Sequence, residues 1–599
     1  MLEYSSRKEV PKEYQFDLTD FYKNKEEWEE DLKKTELEIE KIKSFQGVLN
    51  DEKKLESFLK DYIELSSNIM NLYVYAMLNH DVDLNNDMYT AMLNKISSLN
   101  TNFETITSFF EPEIVSLSEE EYKNLFTKNE SILQYKHLLD EIYEQKKHTL
   151  SQKEEKMLRT LSETFSSYEK MSATLINSDH NYGFIKLPDG NIVEIAANNV
   201  GTLKKNKDPK IRKKANSQFG KTLMQYQNTE SAFLHNYIKN SINLAKLRNY
   251  ESPWHKKLEN IHISNEVFEN LKTTAKQRKK AWQNYYRLMK QVLKLKTLHN
   301  YDTLLEWNDT QRSYSIEDAE KIVLEALKPL GNEYGEKLKK VFTSHYIDYC
   351  GYKGKVNGGY SCSTYTKNSR IVLSFKEKFS DILTIAHEAG HNVHHQFVND
   401  ANPLWYRHTS TFVAEVASLT NEFLVNNYIA QNGHTKQEKL LGIEHTLKTF
   451  QNNFFGAIRE GELEQIMYEY VENGNTLTAN YLNELVETSL KEYQSNIIKD
   501  DGYSKLSWVT RSHYYLNFYM FSYAICVVIA AMLADKILKQ EEGILEQYKD
   551  FLKCGSNMYP EEIYEKLGIN LKDPSVFQTG VDFFESQIKL YETILKEGV

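Results

Sequence analysis

From Leu383 to Phe397 the chain reads LTIAHEAGHNVHHQF, and this stretch has to meet two demands at once. Ile382, Ala386, Ala389, Val393 and Phe397 recur at intervals of three and four, the stripe of a helix with one buried face. Ser380 and Asp381 stand where an N-cap and an acidic first turn belong, so the helix is expected to start there. His387 and His391 then lie four apart on one side of it, able to reach a single ion, with Glu388 beside the first of them. Any fold around this helix must bury its apolar side and leave its polar side open to chemistry.

The run His387-Glu388-Ala389-Gly390-His391 is H-E-x-x-H, two imidazole ligands with a base between them. In a chain of this length it arises by chance on the order of a few per cent of the time, so other residues have to support it. A catalytic zinc takes a third protein ligand and leaves a fourth position to water. The segment FVAEVASLTNEFL, Phe412 to Leu424, offers that ligand. Its Glu415, Ser418 and Glu422 share one helical face, and Glu415 lies 28 residues beyond His387 (415 minus 387), enough for a helix, a turn and a return. Glu415 is the expected third ligand, and Glu422 an acceptor that orients a ligand histidine. His394 and His395 are expected to pack or hydrogen-bond around the site, because a further histidine ligand would close the open position.

With only 9 prolines and 23 glycines in 599 residues, turn formers are too sparse for an all-β protein, and a mainly α fold is expected, a large body of many helices. Leu55, Phe58, Leu59, Tyr62, Leu65, Ile69 and Leu72 keep helical spacing, and Ser151 with Glu154 and Ser315 with Asp318 have the form of capping boxes. The texture breaks at FIKLPDGNIVEI, Phe184 to Ile195, which predicts a hairpin about Pro-Asp-Gly and suggests a division into residues 1–200 and 201–599. It breaks again at the glycines 351, 354, 358 and 359, ahead of the β-branched run Ile371 to Phe375, a small β element read either as an exposed strand edge or as a plain loop and strand.

A formal net charge of −11 argues against a nucleic-acid partner, and the basic run Lys276 to Lys280 fits a solvated helix face. Four cysteines without a C-x-x-C pair, and a first segment lacking the apolar core of a secretory signal, point to reduced thiols in the cytoplasm. The most apolar run, Phe521 to Ala534, is shorter than the ~20 residues that cross a bilayer, so a core helix is expected and no membrane partner. Oligomeric state is not fixed by any of these features.

With these residues in view, most of the chain resembles oligoendopeptidase F, in the family of zinc metallopeptidases that includes thimet oligopeptidase. The likeness runs through SDHNYGFIKLPDGNIVEI, GGYSCSTYTKNSRIVLSF, the histidine helix, AEVASLTNEF and SHYYLNFYMFSYA. Family members usually carry Leu or Phe where this chain has Ala389, a position that is not a ligand. The resemblance implies one zinc ion on His387, His391 and Glu415, Glu388 as general base, and a helical body enclosing a deep channel that admits short unstructured peptides. It also implies that His513 and a nearby tyrosine, Tyr519 first with Tyr515 and Tyr523 as alternatives, stabilise the transition state, and that Gly359 and Tyr360 belong to a glycine-rich loop on the substrate side. Without it, HYYLNFYMFSY reads as an aromatic core stripe. Two other readings remain open from the residues alone: a metallocarboxypeptidase on a related helical fold, and a peptide-binding helical scaffold without activity.

Overall fold

A computed structural model describes residues 4–308 and 312–596. Among them helices form the framework and strands are short, the longest running six residues. Contacts group the chain into two compact units, each assembled from three separate segments: Met1–Thr149, Gln311–Val425 and Leu533–Ile569 in the first, and Leu150–Thr310, Asn426–Met532 and Asn570–Val599 in the second.

In the first unit, helix α1 (Glu52–Asp81) buries Leu55, Phe58, Leu59, Leu65, Ile69 and Leu72, the stripe expected from their spacing. Asp51 caps it by accepting the N–H groups of Lys53 and Lys54. Trp28, fully buried, donates its indole N–H to the Leu72 carbonyl at 2.9 Å, which satisfies the one polar atom that this large side chain brings inside.

In the second unit, β1 (Phe184–Lys186) and β2 (Ile192–Glu194) form the expected antiparallel hairpin, whose turn places Gly190 at φ +90°, a conformation that favours glycine. Ser151 and Glu154 make the reciprocal bonds of a capping box. The long helix α2 (Pro209–Leu247) starts with proline at its first position behind the cap Asp208. Strand β3 (Leu298–His299) waits for a distant parallel partner later in the chain.

The first unit holds the main sheet, β4 (Ile347–Cys350), β5 (Tyr360–Cys362) and β6 (Arg370–Phe375), in the order β4-β6-β5. This corrects the reading of Ile371 to Phe375 as an exposed edge: β6 is the central strand, parallel to β4 and antiparallel to β5. The physical reason is composition, since Ile371, Val372 and Leu373 are all buried and a strand that apolar is stable only when covered. Helix α3 (Phe379–Ala401) carries the histidines, and α4 (Thr411–Asn432) follows it. Here too the start differs from expectation. Lys378 holds the cap position, and Asp381, three residues on, accepts the backbone N–H groups of Lys376 and Lys378 at 2.7 and 2.9 Å.

In the second unit, β7 (Ile498–Lys499) is the partner of β3. Helix α5 (Ala457–Glu472) buries Leu463 and Met467 in the same hydrophobic core as Ile211, Leu234 and Ile238 of α2. Phe521–Leu538 is apolar enough to pass for a membrane span, yet 72% of its most apolar window is buried within the protein, as a core helix requires. Glu464 of α5 is fully buried. One carboxyl oxygen accepts the Phe518 N–H at 2.7 Å and the other has no partner among the described residues. Asn517 and Phe518 are both left-handed (φ +46° and +61°), and the Tyr468 hydroxyl donates to the Asn517 side chain at 2.6 Å. Glu464 therefore secures a strained bend from below.

Burial pushes Glu464 up to about 8, above the ~4.3 of an exposed glutamate. Between those values the folded protein holds more protons than the unfolded chain, so stability falls as pH rises through this window and levels off above it. Glu464→Gln keeps an acceptor for Phe518 and removes the ionisation. Thermal unfolding of wild type and variant across the same window is expected to show a smaller decline of Tm in the variant.

Candidate metal centre

The centre depends on how closely α3 and α4 approach. A Cβ at Gly390 would sit 2.8 Å from the Ser418 Cα and 3.1 Å from the Ala417 carbonyl oxygen, so only glycine fits at this contact. That offsets the roughly 1 kcal/mol that glycine costs inside a helix. Asn421 fixes the approach: its amide donates to the Ala386 carbonyl at 3.0 Å and its oxygen accepts the Tyr334 hydroxyl at 2.8 Å.

Three atoms converge as a result. The Nε2 atoms of His387 and His391 are 3.2 Å apart, and Glu415 Oε2 stands 3.5 and 3.8 Å from them. Donors held 2.0–2.1 Å from one ion at tetrahedral angles are about 3.4 Å apart. Two imidazole nitrogens and a carboxylate at this spacing fit zinc in chemistry as well as in distance. His387 Nδ1 lies 2.6 Å from Glu422 Oε1. Because a carboxylate only accepts, Nδ1 carries a proton, and Nε2 is the nitrogen turned toward the other two donor atoms. Ser418 Oγ donates to Glu415 Oε2 at 3.0 Å.

Burial pushes the His387 ring down, but the bond to Glu422 and the charges of Glu422, Glu388 and Glu415 outweigh it and raise it to about 9. His391 is driven well below the ordinary histidine value by burial and by the positive His387 ring. Glu388, next to the first histidine and 7% exposed, is pushed up to about 6, chiefly by burial, against a backbone hydrogen bond from Ser361 that favours its charged form.

His395 is engaged elsewhere, with Nδ1 2.9 Å from Ser369 Oγ and Nε2 3.3 Å from Ser363 Oγ. His394 is buried and packs toward Phe551. A cleft of about 330 Å³ borders the centre, lined by His391 and Glu415 together with Ser361, Tyr365, Arg407 and His408. Of these, Ser361, Arg407 and His408 were not singled out from the sequence, nor were Asn421 and the contact at Gly390. Only the folded packing of α3, α4 and β5 marks them. Gly359 precedes β5, where a Cβ would meet the Thr384 methyl at 2.8 Å. The Tyr360 hydroxyl donates to Asp81 at 2.6 Å, and burial together with that bond holds the phenol protonated.

His513 and Tyr519 belong to the second unit. The His513 ring lies 5.9 Å from Tyr519 and 6.3 Å from Tyr523, and the two tyrosines meet edge to face at 5.4 Å. All three are partly exposed. Tyr515 is turned away into the core, where its carbonyl accepts the Tyr237 hydroxyl at 2.6 Å.

Two histidines four apart with a glutamate between them and a carboxylate from a second helix form the pattern of one class, the metallopeptidases, and the comparisons with known proteins make the assignment. Residues 202–583 match Peptidase family M3 and residues 113–182 match Oligopeptidase F. The chain belongs to peptidase family M3, a family of zinc metalloproteases, and is a hydrolase of peptide bonds. It is similar to Oligopeptidase PepF of Bacillus subtilis (strain 168), with 30% identity over 98% of this chain and 88% of the relative. The plasmid-encoded Oligoendopeptidase F of Lactococcus lactis subsp. cremoris is 28% identical over 99% of each chain. Among solved structures, oligoendopeptidase-F from Enterococcus faecium superposes with a TM-score of 0.74 at 26% identity, covering 95% of this chain and 99% of its own. A protein of Chlamydophila abortus superposes at 0.91 with 27% identity, covering 99% and 100%.

Gly390→Ala is expected to force α3 and α4 apart, losing about 1–3 kcal/mol by overpacking and weakening zinc binding together with stability. Denaturant unfolding and a zinc competition titration check both. An unchanged zinc affinity would show that the donor spacing does not rest on this contact.

Proposed function

We propose that the chain is an endopeptidase that hydrolyses internal bonds of short, unstructured oligopeptides, using one zinc ion on His387, His391 and Glu415 with Glu388 as general base. The observation that carries this reading is the triangle of donor atoms at 3.2, 3.5 and 3.8 Å, spaced as the edges of a zinc tetrahedron. The full-length likeness to oligoendopeptidases supports the substrate class. Bound there, zinc supplies Lewis acidity toward a water and a peptide carbonyl.

The protein's own groups do the rest. Glu422 holds His387 in the tautomer that presents Nε2. Glu388, raised toward neutrality by burial, takes a proton from the attacking water and passes it to the departing amine, a role suited to an acid that titrates near working pH. His513 and Tyr519, with Tyr523 against both rings, are assigned as donors to the oxyanion. Gly359 and Tyr360 lead into β5, whose outer edge has no strand partner among the described residues and is assigned to the substrate backbone. Main-chain pairing of that kind tolerates many side chains. Four cysteines without a disulfide fit a cytoplasmic setting.

Products from a ladder of unstructured peptides, with a folded protein as control, test the reading by mass spectrometry. Internal cuts in the peptides and an intact control are expected. Stepwise loss of single residues would instead mark a carboxypeptidase, and no turnover would mark a binding scaffold. Glu388→Gln is expected to retain zinc while losing at least ~10²-fold in kcat, whereas His387→Ala loses both. Full activity in zinc-loaded Glu388→Gln would overturn the assignment of the base.

A further inference from the structure

The second unit contains a cavity of about 230 Å³, far from minimal for a polyatomic ion, with Lys204, Asn216 and Arg459 in its wall beside the hydroxyls of Ser504, Ser507 and Thr510. None of the residues that line it is an aspartate or a glutamate. The charged side chains of its wall, Lys204 and Arg459, are therefore both cationic.

Arg459 is 7% exposed. Its Nη2 pairs with Glu460, while Nε and Nη1 have no acceptor among the described residues. Glu460 is already shared, for it also accepts the Tyr514 hydroxyl at 2.5 Å and lies 3.4 Å from the Arg511 guanidinium. One carboxylate thus serves two guanidinium groups. Asn216 is 4% exposed, and its Nδ2 likewise lacks an acceptor among the described residues. Lys204, half-buried, pairs with no acid among the described residues, and burial pushes its ammonium down. An arginine cannot shed its proton to relieve such a position. Unmet guanidinium donors and an uncompensated positive charge are relieved together by an anion, since water supplies acceptors but no charge.

The wall is built rather than incidental. Gly220, one turn beyond Asn216 on α2, takes the ring of Tyr503 so closely that a Cβ would fall 2.4 Å from it. The pairing of β3 with β7 fixes the segments leading to Asn300 and Ser504, whose side chains bond to each other. Residues that are distant along the chain are thereby held around one space.

We propose that this cavity is a binding site for a small tetrahedral oxyanion, phosphate or sulfate, held by Arg459, Lys204 and Asn216. A planar guanidinium with several further donors at different angles suits an ion that offers several oxygens better than a halide. The site is separate in sequence and in unit from the histidine centre, and its occupancy does not depend on the peptidase reading.

The test is calorimetric titration of the full-length protein with inorganic phosphate at constant ionic strength, with chloride as the competing salt and Tm followed alongside. Saturable binding of one phosphate per chain, a parallel rise in Tm, and affinity roughly tenfold or more weaker in Lys204→Met and in Asn216→Leu are expected. Lys204 is partly exposed and pairs with no acid among the described residues, so its replacement reads the site even where Arg459→Leu fails to fold. No saturable phosphate binding, or equal binding by wild type and Lys204→Met, would overturn the proposal, the second result marking an adventitious ion only.

Discussion

The contact between α3 and α4 at Gly390 is the constraint from which the centre follows. His387 and His391, four residues apart on one helix, have their spacing fixed by the helical repeat. The third donor, Glu415, comes from another helix, so its distance depends on how far apart the two backbones stand. With Ser418 Cα where a Gly390 side chain would begin, that separation has little freedom. Asn421 bridges the same two helices with both ends of its amide engaged. On another side, Asn392 of α3 donates to the Ser369 carbonyl at 2.9 Å, just ahead of β6. The histidine helix is thus braced against both a helix and a sheet.

Electrostatics raises the stakes of that geometry. Glu388, Glu415 and Glu422 are gathered about His387 and His391, all five partly or largely withdrawn from solvent. Like charges at such distances are expensive, and the protein moderates them by giving each acid a different task. Glu422 is matched to the proton on His387 Nδ1, Glu415 receives the Ser418 hydroxyl, and Glu388 is left in a setting that favours holding a proton. A divalent cation would lower the energy of the whole group, which links metal affinity to folding stability.

Local pattern made much of this legible. The apolar stripe of α3, the four-residue step between its histidines and the placement of Glu415 and Glu422 on one face all follow from helical period, and the His387 Nδ1 contact with Glu422 Oε1 is of the kind an orienting acceptor makes. The hairpin at Pro-Asp-Gly was equally plain, because its signal lies within a dozen residues. What period cannot convey is which face meets which. Ile371 to Phe375 reads as a strand from its own residues, but its central place in the sheet depends on β4 and β5. Tyr515, Tyr519 and Tyr523 look alike in sequence, and only the core contact with Tyr237 separates the first from the pair beside His513. Lys204, Asn216 and Arg459 carry no local signal at all, since what unites them is an unmet need for acceptors that exists only after folding.

The division of each unit into three segments bears on how the protein is made. The back of α3 is finished by residues from far downstream: Phe551 packs near His394, and the Lys553 carbonyl accepts the Asn402 amide at 2.6 Å. On a ribosome, the stretch holding the histidines emerges well before the residues that complete its surroundings. Its helices can form early, but the first unit's core closes only when Leu533–Ile569 arrives, and the second awaits Asn570–Val599. Contacts of such long sequence separation slow folding and leave apolar surface uncovered in the interval. The histidine helix therefore acquires its full set of neighbours only after residues far downstream of it have been made, and until then part of its apolar side stays uncovered.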